Sequence, residues 1–287
     1  MNNSNDILLS IITINKNNEA GLRKTIESIK CQTSGNYEHI IIDGASTDGS
    51  VGVIREALAD PVYAARVPYW HSKPDSGLYD ALNEGVFHAR GKYCLFLNSG
   101  DFLFDGEIVA RIERLCACDD SDILYGNCLC FSSQKEWIEK QPENLNLGYL
   151  YRKSINHQNC LIKTSLQKKY PYSLEYKILG DRDFFIRAIL CEPEIRTKHI
   201  DFIISKYECE TGVSSAYPEK LREEEKRLQE KSFPKFLRDS FVFFEEKEKA
   251  VREELDSYEK KYHGILRRMR AALEKYTALK RFLKRKP

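Results

Sequence analysis

No stretch of this 287-residue chain approaches the roughly 18 consecutive apolar residues that a membrane span needs. Its first residues, "MNNSNDILLS", have neither the basic flank nor the long apolar run of a secretory signal. There is no CxxC pair. The nine cysteines are scattered and odd in number, and the tightest sets, "CAC" at 116–118 and "CLC" at 128–130, are too close for a usual zinc set. These absences point away from a disulfide scaffold and a zinc module, and toward reduced thiols packed in a cytoplasmic protein. No internal repeat is visible. Neither GxGxxG nor GxxxxGK[ST] follows the first apolar run, which argues against a dinucleotide oxidoreductase and a P-loop NTPase.

What is present describes a globular protein with a real core: 42% hydrophobic and 31% charged residues. "ILLSIITIN" (7–15), "YEHIIID" (37–43) and "YCLFL" (93–97) are apolar on both faces, as strands buried on both sides are. Between them, Leu22, Ile26 and Ile29 recur at helical spacing, and "LYDALNEGVFHARG" reads as a helix closed by Gly91. Alternating strands and helices predict an α/β fold with a parallel or mixed doubly wound sheet. "DILYGNCLCF" (122–131) reads as one strand with a hairpin-like continuation, and "HIDFIISKYECETGVSS" (199–215) as a last strand with an exit loop.

Polar residues gather after four successive strands: Thr13 and Asn15, Asp43 with Asp48, Lys73 and Asp75, and Asp101. Any one cluster is explained as turn and cap chemistry. Four of them along one side of a parallel sheet point to a ligand site.

"SIITINKN", "IIIDGASTDGS", "DSGLYDALNEGVFHARGKYCLFLNSGD" and "LGDRDFF", in this order over residues 6–215, resemble the family 2 glycosyltransferases. They are most similar to the branch of bacterial polysaccharide and colanic-acid-type clusters. The resemblance implies a GT-A fold and inverting transfer of a sugar from a nucleotide-diphosphate-sugar donor, such as a UDP-sugar, to a glycan or polyprenyl-linked acceptor. It implies a divalent metal, Mn²⁺ or Mg²⁺, on the leaving diphosphate. By that resemblance Thr13 and Asn15 line the base pocket, and Asp43 accepts from the base imide N–H. Lys73 and Asp75 face the diphosphate. Asp101 is the metal ligand, and Asn98, with Ser99 beside it, stands where the family has a first acid. Asp181 would be the base that deprotonates the acceptor, with Asp183 in support. Asp80 and Asn83 face the site or merely stabilise their helix, and His157 contacts acceptor or phosphate or is structural. A nucleotidyltransferase and a non-catalytic nucleotide-sugar-binding protein are the alternatives.

Charge divides the chain. Residues 1–217 hold 24 Lys and Arg against 29 Asp and Glu, whereas 264–287 hold nine against one. A mildly acidic body is not a general nucleic-acid binder. The composition turns Lys/Glu-rich at Pro218, giving an expected glycosyltransferase domain at 1–217 and a charged helical extension at 218–287. Within its end, Ile265, Met269, Ala272, Tyr276, Leu279 and Leu283 form one apolar stripe, with Arg267, Arg268, Arg270, Lys275, Lys280, Arg281 and Lys284 mostly beside it. Such a helix either lies on an anionic membrane surface, making the protein peripheral there, or pairs, as in a homodimer.

Overall fold

Seven strands form the main sheet of the computed structural model, which describes residues 7–209 and 217–283, leaving out the side chains of 266 and 270–283. The tail cations and stripe residues from 270 onward therefore lie outside the described side chains, and Lys284 outside the described residues. Strands β1 (Leu9–Asn15), β2 (Tyr37–Asp43), β3 (Tyr69–Ser72) and β4 (Tyr93–Phe96) pair in parallel, with β1 between β2 and β4. The sequence's doubly apolar runs are here for a physical reason: helices cover both faces, so β2 and β4 are buried along their whole length. On one face Leu22, Ile26 and Ile29 of α1 (Glu19–Lys30) join Leu9, Ile11, Ile41 and Leu95 in the core. On the other, α4 (Leu78–His88) comes so close to β1 that a Cβ on Gly85 would stand 2.4 Å from Ile12 Cγ2.

The sheet becomes mixed in its second half. Strand β9 (Cys160–Lys163) runs antiparallel between β4 and β6 (Ile123–Gly126), and β10 (Thr197–Ile200) closes that edge parallel to β6. The run "DILYGNCLCF" is therefore two strands. After Gly126, β7 (Cys128–Phe131) leaves for a second sheet of four strands, where it forms the hairpin with β8 (Glu136–Glu139). The expected last strand divides likewise, into β10 and β11 (Ser205–Glu208), and β11 joins β7 and β5 (Phe102–Leu103).

Other helices are α2 (Ser50–Leu58), α3 (Pro61–Ala64), α5 (Ile108–Cys116), α6 (Leu147–Arg152), α7 (Thr164–Lys169), α8 (Gly180–Cys191), α9 (Pro218–Ser232) and α10 (Lys235–Leu283). The chain divides into two compact units, Met1–Ser232 and Phe233–Pro287. The division expected at 217/218 thus lies at 232/233. Composition misplaces it because α9 is charged almost throughout yet buries Glu224 and Leu228, one helical turn apart. Among the described residues no helix is long and apolar enough to cross a membrane.

Candidate active site

Parallel register aligns the strand ends. Asn15 stands beside Asp43, and Asp43 beside Ser72, so three polar residues from β1, β2 and β3 meet at the carboxyl edge of the sheet. Asp43 Oδ1 accepts from Asn15 Nδ2 at 2.7 Å and Ser46 Oγ at 2.6 Å, and Oδ2 from Ser46 N at 2.9 Å and Ser72 Oγ at 2.5 Å. Burial pushes this carboxyl up, but the bonds from Ser46, Ser72 and Asn15 outweigh it and hold Asp43 below the ordinary range. All four acceptor positions are taken, so Asp43 organises this loop and presents no free acceptor to a base. The same loop carries Ala45 at φ 57°, a left-handed backbone that costs a non-glycine residue roughly 1–2 kcal/mol.

A cavity of about 790 Å³ opens where the strand order reverses between β1 and β4. That size lies within the range of small-molecule sites. It is lined by Asn15 and the following Lys16–Asn18, by Asp75, by Asn98, Ser99 and Asp101, by Asn156–Gln158, by Asp181, and by Tyr207 and Glu208. Most of the expected residues converge here from separate elements.

The loop after β4 is held from α1. Thr25 Oγ1 donates to Asp101 O at 2.6 Å and is 3.1 Å from Gly100 N, while Asn18 Nδ2 donates to Ser99 O at 2.9 Å. Gly100 turns at φ 107°, a conformation that needs glycine. Asp101 is 4% exposed and accepts from Glu208 N at 3.2 Å. Burial pushes its carboxyl up to about 8 against that bond and one from Gln158. In the same turn, the Asn98 Oδ1 is buried without a hydrogen-bond partner among the described residues, as is the Asn15 Oδ1.

The opposite half supplies Asp181, in the first turn of α8. Its Oδ1 accepts from Arg182 N at 2.8 Å and lies 3.4 Å from Tyr79 Oη, which donates to Ile178 O at 2.6 Å. Burial raises the Asp181 carboxyl, opposed by the charge of His157 and these hydrogen bonds. His157 also lines the cavity. Burial lowers its imidazole, the charge of Asp181 works the other way, and Nδ1 has no partner among the described residues.

Besides Asp43, five expected residues do not line the cavity. Thr13 is fully buried, with Oγ1 2.9 Å from His39 Nε2, in a chain that continues to Tyr63 Oη at 2.5 Å. Lys73 is exposed and does not line the cavity. Asp80 accepts from Ser76 N at 2.9 Å at the start of α4. Asn83 holds both backbone groups of Tyr172, at 2.9 and 2.8 Å, a tie to a distant segment rather than a bond within its own helix. Asp183, two residues beyond Asp181 and so roughly 200° around the helix, is paired with Arg187 at 2.7 Å and faces a separate depression. A residue that sequence reasoning passed over is Glu224. From α9 its carboxylate accepts the N–H groups of Lys177, Ile178 and Leu179 at 2.8, 2.9 and 3.2 Å, fixing the loop that presents Asp181. Only its burial, one turn before Leu228, marks it.

The model of Glycosyl transferase family 2 matches residues 10–174, more than half of the chain and all four strand ends. The chain belongs to glycosyl transferase family 2. It is 30% identical over 215 residues to a PGL/p-HBAD biosynthesis glycosyltransferase of Mycobacterium bovis, covering 74% of this chain and 81% of the relative. An uncharacterized glycosyltransferase of Mycobacterium tuberculosis is 34% identical over 190 residues, 64% of this chain and 70% of that one. The fold is GT-A, like that of Staphylococcus aureus TarS 1-349 solved with UDP-GlcNAc: TM-score 0.59 at 18% identity, over 73% of this chain and 60% of that chain. Similar, too, is the mannosyltransferase PcManGT of Pyrobaculum calidifontis, solved with GDP-Man and Mn²⁺, with TM-score 0.54 at 13% identity over 71% and 57% of the two chains. This glycosyltransferase thus shares its fold with proteins that bind nucleotide-sugars.

Proposed function

We propose that this family 2 glycosyltransferase moves a sugar, with inversion, from a UDP-sugar to a hydroxyl of a glycan or lipid-linked acceptor in bacterial surface polysaccharide synthesis. The observation that carries the proposal is a single cavity with two chemically different walls. One wall, after β1 and β4, offers Asn15, Asn98 and Asp101 to the donor. The other brings in Asp181, a carboxyl that burial makes more basic. A base near its working pH takes a hydroxyl proton best, so the acceptor belongs on the Asp181 side. Tyr79 and the Arg182 N–H hold Asp181 in place, and His157 Nδ1, without a partner among the described residues, is open to the acceptor or a phosphate oxygen. Asp75 lines the cavity next to Gly44, on the donor side.

A divalent cation fits this wall. Asp101 is a buried carboxyl with too few donors around it to favour its charge, and Asn98, in the same turn and the same cavity lining, has an unpartnered hard oxygen, Oδ1. When bound, Mn²⁺ or Mg²⁺ neutralises the charge of the leaving diphosphate. Among the described residues no group of three His, Cys, Asp or Glu side chains is placed to hold an ion. Asp101 and Asn98 would therefore share it with donor phosphates and water, as such ions commonly are shared. The nucleotidyltransferase alternative falls with the family assignment. For acceptors carried on lipid, we assign the cationic end, 264–287, to an anionic membrane surface.

The test is release of nucleoside diphosphate across a panel of nucleotide-sugars, with Mn²⁺ titrated. One UDP-sugar should be turned over, and Asp101→Ala should abolish the metal dependence. Equal, metal-independent activity in wild type and variant would remove Asp101 from the site, and no turnover of any donor would leave a binding protein.

A further inference from the structure

Helix α10 carries an exposed apolar stripe that starts well before the basic end. Phe244, Val251, Leu255, Tyr258, Tyr262, Ile265 and Met269 are each between 46 and 66% exposed. Their spacing is 7, 4, 3, 4, 3, 4, and Glu248 fills the one missing place, so the stripe is a heptad seam. Phe236, Val242 and Phe243 are also exposed near the start of the helix. Between 245 and 264, however, the residues off the seam are mostly charged, so the seam asks for a cover and the charges beside it say which.

The flanking positions are Lys247, Glu254, Lys261 and Arg268 on one side, and Glu245, Arg252 and Glu259 on the other. In a parallel pair, one side of each helix meets the other side of its partner one heptad on. That would oppose Lys247 to Arg252 and Glu254 to Glu259, twice each, all of like sign. In an antiparallel pair each side meets its own kind. Centred between Leu255 and Tyr258, that arrangement faces Glu254 with Lys261 and Arg252 with Glu259, twice each and all of opposite sign. Only Lys247 and Arg268, at the outer ends where salt screens most, are alike. The apolar residues obey the same centre. Leu255 meets Tyr258 of the second copy, Val251 meets Tyr262, Phe244 meets Met269, and Glu248 meets Ile265. Glu248 is ion-paired within its own helix to Arg252 at 2.7 Å, so it enters the seam partly neutralised.

We infer that residues 244–269 of α10 form an antiparallel coiled-coil interface with a second copy of this chain, centred between Leu255 and Tyr258. The test uses the full chain. Sedimentation at micromolar concentration should give a dimer, and Leu255→Glu with Tyr258→Glu should give a monomer of unchanged helix content. Glu254→Lys and Lys261→Glu should each weaken the dimer about tenfold, by turning attractive pairs repulsive. The two changes together in one chain should restore it, because each new charge then meets its opposite across the axis. A single change that tightens the dimer would mean parallel pairing and overturn the inference. So would a double variant that stays weak, since another register would then hold. A chain that is monomeric at every concentration also sinks it. The same holds for a seam whose substitution alters only co-sedimentation with anionic vesicles, for that face then meets lipid.

Discussion

Asp181 and Asp183 are chemically identical and two residues apart, yet only one reaches the cavity. Helical geometry turns the second away, where Arg187 neutralises it. Asp181→Asn should therefore keep donor binding, read by calorimetry, while transfer falls at least about 100-fold, the usual cost of losing a general base. Asp183→Asn should leave transfer within a few-fold and lower the melting temperature instead. An inactive Asp183→Asn enzyme beside an active Asp181→Asn enzyme would reverse the roles. Since burial raises the Asp181 carboxyl, the acid limb of kcat/KM should lie above the ordinary aspartate range of about 4. A second buried group gives a stability signature. His39 is held neutral by burial, lowered from 6.5 to about 3. A depressed folded value means its contribution is whole above pH 6.5 and is lost as pH falls from there toward 3. Melting temperature should drop over that window, and His39→Gln should flatten the drop even if it lowers the plateau.

At the level of elements, the working parts are strand ends held by helices from other parts of the chain. Helix α1 fixes the Asn98–Asp101 turn through Thr25 and Asn18, and α9 fixes the loop before Asp181 through Glu224. A carboxylate that collects three backbone N–H groups is worth more than a neutral acceptor, because hydrogen bonds to charged groups contribute about 1.5–3 kcal/mol each where neutral ones give about 1. Glu224→Gln keeps the shape and removes the charge, leaving one donor N–H group where an acceptor stood. It should destabilise by about 1–3 kcal/mol in urea unfolding. It should also lower kcat more than donor KM, since the Asp181 wall moves and the donor wall does not. Equal losses in both parameters would make Glu224 merely structural.

Taken whole, the molecule combines a compact unit that contains the entire cavity with a second unit that is mostly one 49-residue helix. The basic end of that helix has its own test. Replacing Arg267, Lys275, Lys280 and Arg281 by Gln should reduce co-sedimentation with anionic vesicles at low salt, each cation near such a surface being worth roughly 1 kcal/mol. Mass in solution should be unaffected. Binding that persists at high salt, or is unchanged by the substitutions, would remove the electrostatic account.

Much of this was legible in the residues alone. Doubly apolar runs named the buried strands, and the carboxyl ends of parallel strands are where an open α/β sheet leaves backbone and polar groups uncovered. Asn15 and Asp101 could thus be gathered from the strand ends, whereas Asn98 and Asp181 are reached only through the family resemblance. What composition could not reveal was direction and partnership. Thr13 and Asn83 are polar residues of the expected type, but one closes a buried hydrogen-bond chain to His39 and the other ties α4 to Tyr172. Asp43 is at the expected edge with its lone pairs already filled, because register set Asn15 and Ser72 on either side of it. Glu224 looks like any acid of a charged helix until α9 packs and turns it toward three bare N–H groups. Local pattern determines which segments are buried and where strands end, since those depend on near neighbours and on periodicity. Which polar atom meets which is decided by contacts between residues far apart in the chain, and only the folded structure brings those together.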